Sequence, residues 1–103
     1  MEHIKTLEDF KILTNENDLV IIDFYATWCG PCKMLAPIIE DVANEHPEIK
    51  FVKVDTDEAE ELASMFNIMS IPSVIYIKNK EVKGFELGFR PKEAIEENIK
   101  KYF

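Results

Sequence analysis

Cys29-Gly30-Pro31-Cys32 holds the only two cysteines of the chain. Across a first helical turn, residues three apart bring their Cα atoms within about 4.4–6.8 Å, the range a disulfide spans. A bond between these sulfurs can then form and break without moving the backbone far. Gly30 permits a tight strand-to-helix turn, and Pro31 does no harm where amides lack helical partners. Cys29 would lie where free amides and the helix dipole favour negative charge, so its thiol should ionise more readily than a free cysteine. The thiolate is the attacking species in disulfide exchange. Cys32, one turn inside and more shielded, should keep its proton longer. Cys29 is therefore read as nucleophile and Cys32 as resolving thiol. A zinc site fits poorly, because four ligands are usual and only His3 and His46 remain, at unfamiliar spacings. An inert staple also fits poorly, since so short a loop restricts the unfolded chain little.

Two further features stand beside the pair. Asp23 interrupts the apolar run Leu19–Phe24. A charged, unpaired carboxylate there would cost several kcal/mol (roughly, by transfer), so its pKa should rise. It is then placed to take a proton from Cys32; the plainer alternative is a carboxylate reaching solvent at the strand end. Lys53, on a neighbouring strand, is a candidate partner for Asp23, or simply an exposed lysine with a buried stem. Ile71-Pro72 precedes another strand, where a proline withholds a ladder amide and implies an edge or a special loop.

The elements that must position these residues follow from periodicity. Leu19–Phe24 reads as a strand buried on both faces. From Cys32 to about His46 the apolar residues fall at helical spacing, Met34, Ile38 and Val42 in one row and Leu35, Ile39 and Ala43 in another, with Pro37 expected to kink the helix. Ile49–Asp55 is a second strand, and Asp57 is expected to cap a short helix burying Ala59, Leu62, Ala63 and Phe66. Ser73–Ile77 and Glu81–Leu87 form a hairpin about Asn79-Lys80. Pro91 opens a last helix with Ile95, Ile99 and Tyr102 inward. A short strand at Met1–Lys5 and a helix capped by Thr6, with Leu7, Phe10 and Leu13 inward, begin the chain. The order β-α-β-α-β-α-β-β-α implies an α/β mixed sheet with helices on both faces, in a single domain spanning 1–103.

Trp28-Cys29-Gly30-Pro31-Cys32-Lys33 resembles the active site of the thioredoxin family, and the resemblance runs over nearly the whole chain. Asp23-Phe24-Tyr25-Ala26 resembles the strand leading into that site, and Pro37 the helix-kinking proline. Phe51–Asp55 resembles the next strand, Ile71-Pro72 the cis-proline loop, and Gly88 the glycine closing the substrate groove. The resemblance implies the thioredoxin fold, a central mixed five-stranded sheet flanked by four helices. It implies a cis bond at Pro72 that packs on the disulfide and keeps metal from the thiols. It also implies a substrate groove at Trp28, Gly30, Pro31, Ile71, Pro72 and Gly88. The implied activity is reduction of protein disulfides with no bound cofactor, the reversible Cys29–Cys32 disulfide being restored by a thioredoxin reductase, NADPH-flavin or ferredoxin-linked. Departures are Tyr25 where tryptophan is frequent, Ser73 where threonine is usual, Phe89 where a small residue follows the glycine, and Lys80 at a turn position often given to glycine.

Composition narrows the alternatives. The chain has 103 residues, a formal net charge of −8 and one arginine, Arg90, so it lacks a basic patch for nucleic acid. No apolar run suits a signal peptide or a membrane span, which leads to a cytoplasmic, reducing setting and a monomer. A disulfide oxidant or isomerase is disfavoured because Gly30-Pro31 offers no histidine to stabilise the thiolate further. A binding subunit acting through the apolar surface at Trp28 is the alternative from another class.

Overall fold

A computed structural model describes all residues, 1–103. Five strands and four helices alternate in the expected order: β1 (Glu2–His3), α1 (Leu7–Glu16), β2 (Leu19–Tyr25), α2 (Gly30–Glu45), β3 (Lys50–Asp55), α3 (Glu60–Met65), β4 (Ser73–Lys78), β5 (Glu81–Leu87) and α4 (Lys92–Tyr102). They form one five-stranded sheet in the order β1-β3-β2-β4-β5. β1, β3 and β2 run parallel, while β4 and β5 pair antiparallel. This is the mixed, helix-flanked sheet of the thioredoxin fold.

Period-two alternation along the strands divides the core between the two sheet faces. Val20, Ile22 and Phe24 of β2 join Val52, Val54, Ile75 and Ile77 under α1 and α3. Ile21 joins Phe51, Val74 and Tyr76 under α2 and α4. Asp23 shares the parity of Ile21 and so faces the α2 side. Both faces of β2 are covered, which is why its sequence reads as a near-continuous apolar run.

Local chemistry sets the ends of the elements. Thr6 closes a capping box with Asp9: its hydroxyl accepts the Asp9 amide at 3.0 Å and the Asp9 carboxylate accepts the Thr6 amide at 3.2 Å. Asn79 and Lys80 both take positive φ, 52° and 71°, as a two-residue hairpin requires. Opposite Tyr76 in the ladder, Gly84 lies against the Tyr102 ring, and a Cβ at that position would overlap the ring.

Several expectations need correction. α3 begins at Glu60 with Ala59 as N-cap and no side-chain cap, so Asp57 does not start it. Pro91 is the N-cap of α4, one residue before the helix. Strand β1 is confined to Glu2–His3, in register with Val52 and Lys53 of β3, with one further backbone bond from the Ile4 amide to the Lys53 carbonyl. On α2, Met34 is exposed, and the buried seam is Cys32, Leu35, Ile39 and Val42. As expected, Gly30 and Pro31 form the first turn of α2 behind Cys29, whose sulfur supplies the cap, and Pro37 lies inside the helix.

Candidate active site

Strand β2 delivers its last residues to the end of the sheet, and α2 departs from that end. Cys29, with φ −87° and ψ 114°, is the N-cap of α2, and its Sγ accepts the Cys32 amide at 3.2 Å. One of the unsatisfied amides of the first helical turn thus points at this sulfur, where the helix dipole favours negative charge. Cys29 and Cys32 are disulfide-bonded with Cα atoms 5.3 Å apart. In the disulfide, Cys29 is 5% and Cys32 4% exposed. Ala26 clusters with the pair, and Tyr25 and Ile71 pack against that cluster. What distinguishes the two cysteines here is the N-cap position of Cys29.

The loop before β4 lies over the disulfide. The Ile71–Pro72 peptide bond is cis, and the Ile71 carbonyl oxygen is 4.0 Å from the Cys29 sulfur. Gly88 donates its amide to the Pro72 carbonyl at 2.8 Å and has φ +80°, a conformation natural to glycine. Trp28, 70% exposed, lines a cavity of about 190 Å³ with Thr56, Ile68, Met69, Ser70 and Ile71. Gly30 and Pro31 are exposed at the start of α2. Trp28 and Ile71 therefore share one rim, Ile71 also packs against the cysteine pair, and a backbone bond ties Pro72 to Gly88.

Asp23 lies below this rim, 1% exposed, and neither carboxylate oxygen has a hydrogen-bond partner. Burial pushes its pKa up to about 6, against a smaller opposing pull from the Lys53 ammonium. Lys53 is the direct register partner of Asp23 on β3. Its ammonium, however, sits over the Tyr25 ring, 4.5 Å from the centroid. The two side chains are brought together as neighbours and not as an ion pair. Cys32, Lys53 and Tyr25 also line a cavity of about 200 Å³ on the α2 side.

Three residues at the site escape sequence reasoning. Asp57 accepts the Trp28 indole N–H at 2.9 Å and so orients the ring. The clue lies in the parallel register: Tyr25 opposite Asp55 brings the segments that follow β2 and β3 to the same sheet end. Tyr25 holds Lys53, and Met69 is the most exposed of the large apolar residues, at 86%. Neither of these two carries a sequence signal. Of the histidines, His3 is 3.4 Å from the Tyr25 hydroxyl, and His46 lies between Glu48 and Glu96, away from the cysteines.

Comparison with known proteins agrees with this arrangement. The profile of the family described as thioredoxin matches residues 2–101. The chain is 43% identical over 100 residues to a thioredoxin of Mycoplasmoides gallisepticum, covering 97% of this chain and 100% of that one. It is 45% identical over 102 residues to a thioredoxin of Listeria monocytogenes, covering 96% and 98%. Among solved structures, Fasciola hepatica thioredoxin superposes with a TM-score of 0.94 at 35% identity, with 100% of both chains covered. Oxidised mitochondrial thioredoxin 3 of Saccharomyces cerevisiae gives 0.92 at 35% identity, covering 98% and 94%.

Proposed function

The chain belongs to the thioredoxin family, and from that premise we propose how its dithiol–disulfide oxidoreductase activity is carried out. The observation that carries the reading is the Cys29 sulfur capping α2 with the Cys32 amide 3.2 Å away. In the dithiol form, Cys29 is the thiolate. It attacks one sulfur of a protein disulfide, the substrate S–S bond breaks, and the other substrate sulfur leaves as a thiolate and takes a proton. Cys32 passes its proton to Asp23 and attacks the Cys29 sulfur. That frees the second substrate thiol, and two electrons have moved from the dithiol to the substrate.

The remaining residues have supporting roles. Lys53 tempers the proton affinity of Asp23. Trp28, Gly30, Pro31, Ile71, Pro72 and Gly88 form the groove for the substrate segment. The Ile71 N–H and C=O enter no backbone hydrogen bond and are free to pair with an extended chain. No bound cofactor takes part, because the sulfurs carry both electrons. A thioredoxin reductase, linked to NADPH through flavin or to ferredoxin, restores the dithiol. The setting is the cytoplasm, where the protein serves electron transport and redox homeostasis as a monomer.

The cysteine roles are tested with a protein disulfide and single variants. Cys29→Ser abolishes turnover, while Cys32→Ser accumulates mixed disulfides; rapid turnover by Cys32→Ser would refute the assignment. The reduction potential tests direction. A value near ~−270 mV, characteristic of thioredoxins, supports a reductase, whereas one above about −180 mV means an oxidant or isomerase.

A further inference from the structure

The cleft at Trp28 does not end at Met69. A second cavity of about 390 Å³, lined by Phe66, Asn67, Met69, Ser70, Phe85 and Leu87, continues from it. Met69 and Ser70 line both. The topology explains why this space is open. Phe85 and Leu87 stand opposite Ile75 and Ser73 in the ladder. They therefore share the sheet face of Ile75 and Ile77, which α1 and α3 cover. α3 has only six residues, and the chain turns away at Asn67, φ 55°, leaving the edge strand β5 uncovered on that face. Phe85 and Leu87 are consequently 42% and 48% exposed. None of the six lining residues is charged, in a chain with 31% charged residues.

We propose that this second cavity anchors one bulky apolar side chain of the disulfide-bearing polypeptide, a few residues from the cysteine that Cys29 attacks. The inference rests on the reductase reading of the neighbouring disulfide. Continuity identifies the occupant, since a segment lying along Ile71 passes Ser70 and Met69 directly into the cavity. An extended chain projects alternate side chains to one side, so the anchor occupies one fixed position in register with the reacting cysteine. Uncharged walls with four apolar residues, Phe66, Met69, Phe85 and Leu87, select an aromatic or long aliphatic side chain, because a charge there would lose its water without gaining a charged partner. Met69, unbranched and polarizable, can adapt its shape to different occupants. Substrates are thereby ranked by a feature outside the cystine itself.

The test uses cystine peptides in which one phenylalanine is stepped away from the cysteine a residue at a time, on either side, against an alanine parent. One position should raise kcat/KM roughly five- to twentyfold, as partial burial of a phenyl ring allows. Phe85→Ser should erase that preference, and Phe85→Leu should keep most of it. Glutathione disulfide, too small to reach the anchor, is assayed in parallel and should be reduced equally by all three proteins. No positional preference, with glutathione disulfide still reduced, would overturn the anchor alone. Failure of the unsubstituted chain to reduce either the alanine parent peptide or glutathione disulfide would instead overturn the reductase reading. Sedimentation showing a concentration-dependent dimer that Phe85→Ser abolishes would assign the cavity to a second copy and also overturn the proposal.

Discussion

A carboxylate with no partner for either oxygen, 1% exposed, is an expensive thing to keep at the centre of a sheet, and Asp23 is one. Its pKa rises from 3.8 to about 6 because burial penalises the charged form, with Lys53 pulling only weakly the other way. At about 1.36 kcal/mol per pH unit this amounts to roughly 3 kcal/mol. The sign follows from proton binding: the folded state holds the proton more tightly than the unfolded chain. The favourable contribution is complete below pH 3.8 and is lost as pH rises through about 6. Asp23→Asn should therefore stabilise the protein by about 2–3 kcal/mol at pH 8 and change little near pH 4. On the proposed role it should also slow resolution by Cys32 and remove the limb near pH 6 from the pH–rate profile. Urea unfolding at both pH values, with single-turnover kinetics, checks both halves. Equal stability of the two proteins at pH 8 would show that Asp23 is solvated. The pair of outcomes separates function from folding, since the same substitution should help one and harm the other.

At the level of elements, close contact between β5 and α4 depends on one missing methyl group. Gly84 faces Tyr76 across the ladder and the Tyr102 ring covers it, so a Cβ there overlaps the ring. Gly84→Ala must push α4 away from the sheet or turn Tyr102 outward, and overpacking of this kind costs about 1–3 kcal/mol. Thermal unfolding of the variant measures the loss, and pairing it with Tyr102→Ala should recover part of it. This contact was not legible in the sequence, where Gly84 is one glycine in a charged strand with no pattern pointing to Tyr102. The strands and most of the helices were legible, because burial on one face or two leaves period two, a helical repeat or a continuous apolar run. The boundaries that misled did so where a cap acts through something other than the expected side chain. Cys29 caps α2 with sulfur, Ala59 precedes α3 with no cap bond, and Asp57 gives its carboxylate to Trp28. The cysteines, Asp23 and the Ile71-Pro72 loop were legible because each breaks an expectation of composition or position. Met69, Phe85 and Leu87 break none; they are exposed only because α3 stops short, which is a property of the packing.

For the whole molecule, the titrating groups act together. His46 ties the end of α2 to Glu48 and to Glu96 of α4, at 3.2 and 2.6 Å. Burial opposes its protonation, but the hydrogen bonds and charges of Glu48 and Glu96 outweigh burial and raise its pKa above 6.5. A raised histidine pKa gives stability that is complete below 6.5 and lost as pH climbs through the folded value. Asp23 loses its contribution over the adjoining range, from 3.8 through about 6. Both groups therefore weaken the fold as pH rises toward 8, and the growing negative charge of a chain already at −8 pushes the same way. On the acid side the sign reverses. Asp9, held low by the Lys5 and Thr6 amides, and Glu48, held low by its own amide and His46, lose their contributions as they protonate. Lys92 also bridges Asp41 and Glu45 of α2 from α4, at 2.8 Å each. Stability should therefore peak at about pH 4–5, above the range where Asp9 and Glu48 protonate, and decline toward pH 8 as Asp23 and then His46 lose their protons. In urea midpoints measured across this range, Asp23→Asn should remove the earlier part of the decline and His46→Gln the later part. A midpoint that rises steadily from pH 5 to 8 would mean that neither group is linked to folding with the sign its surroundings dictate.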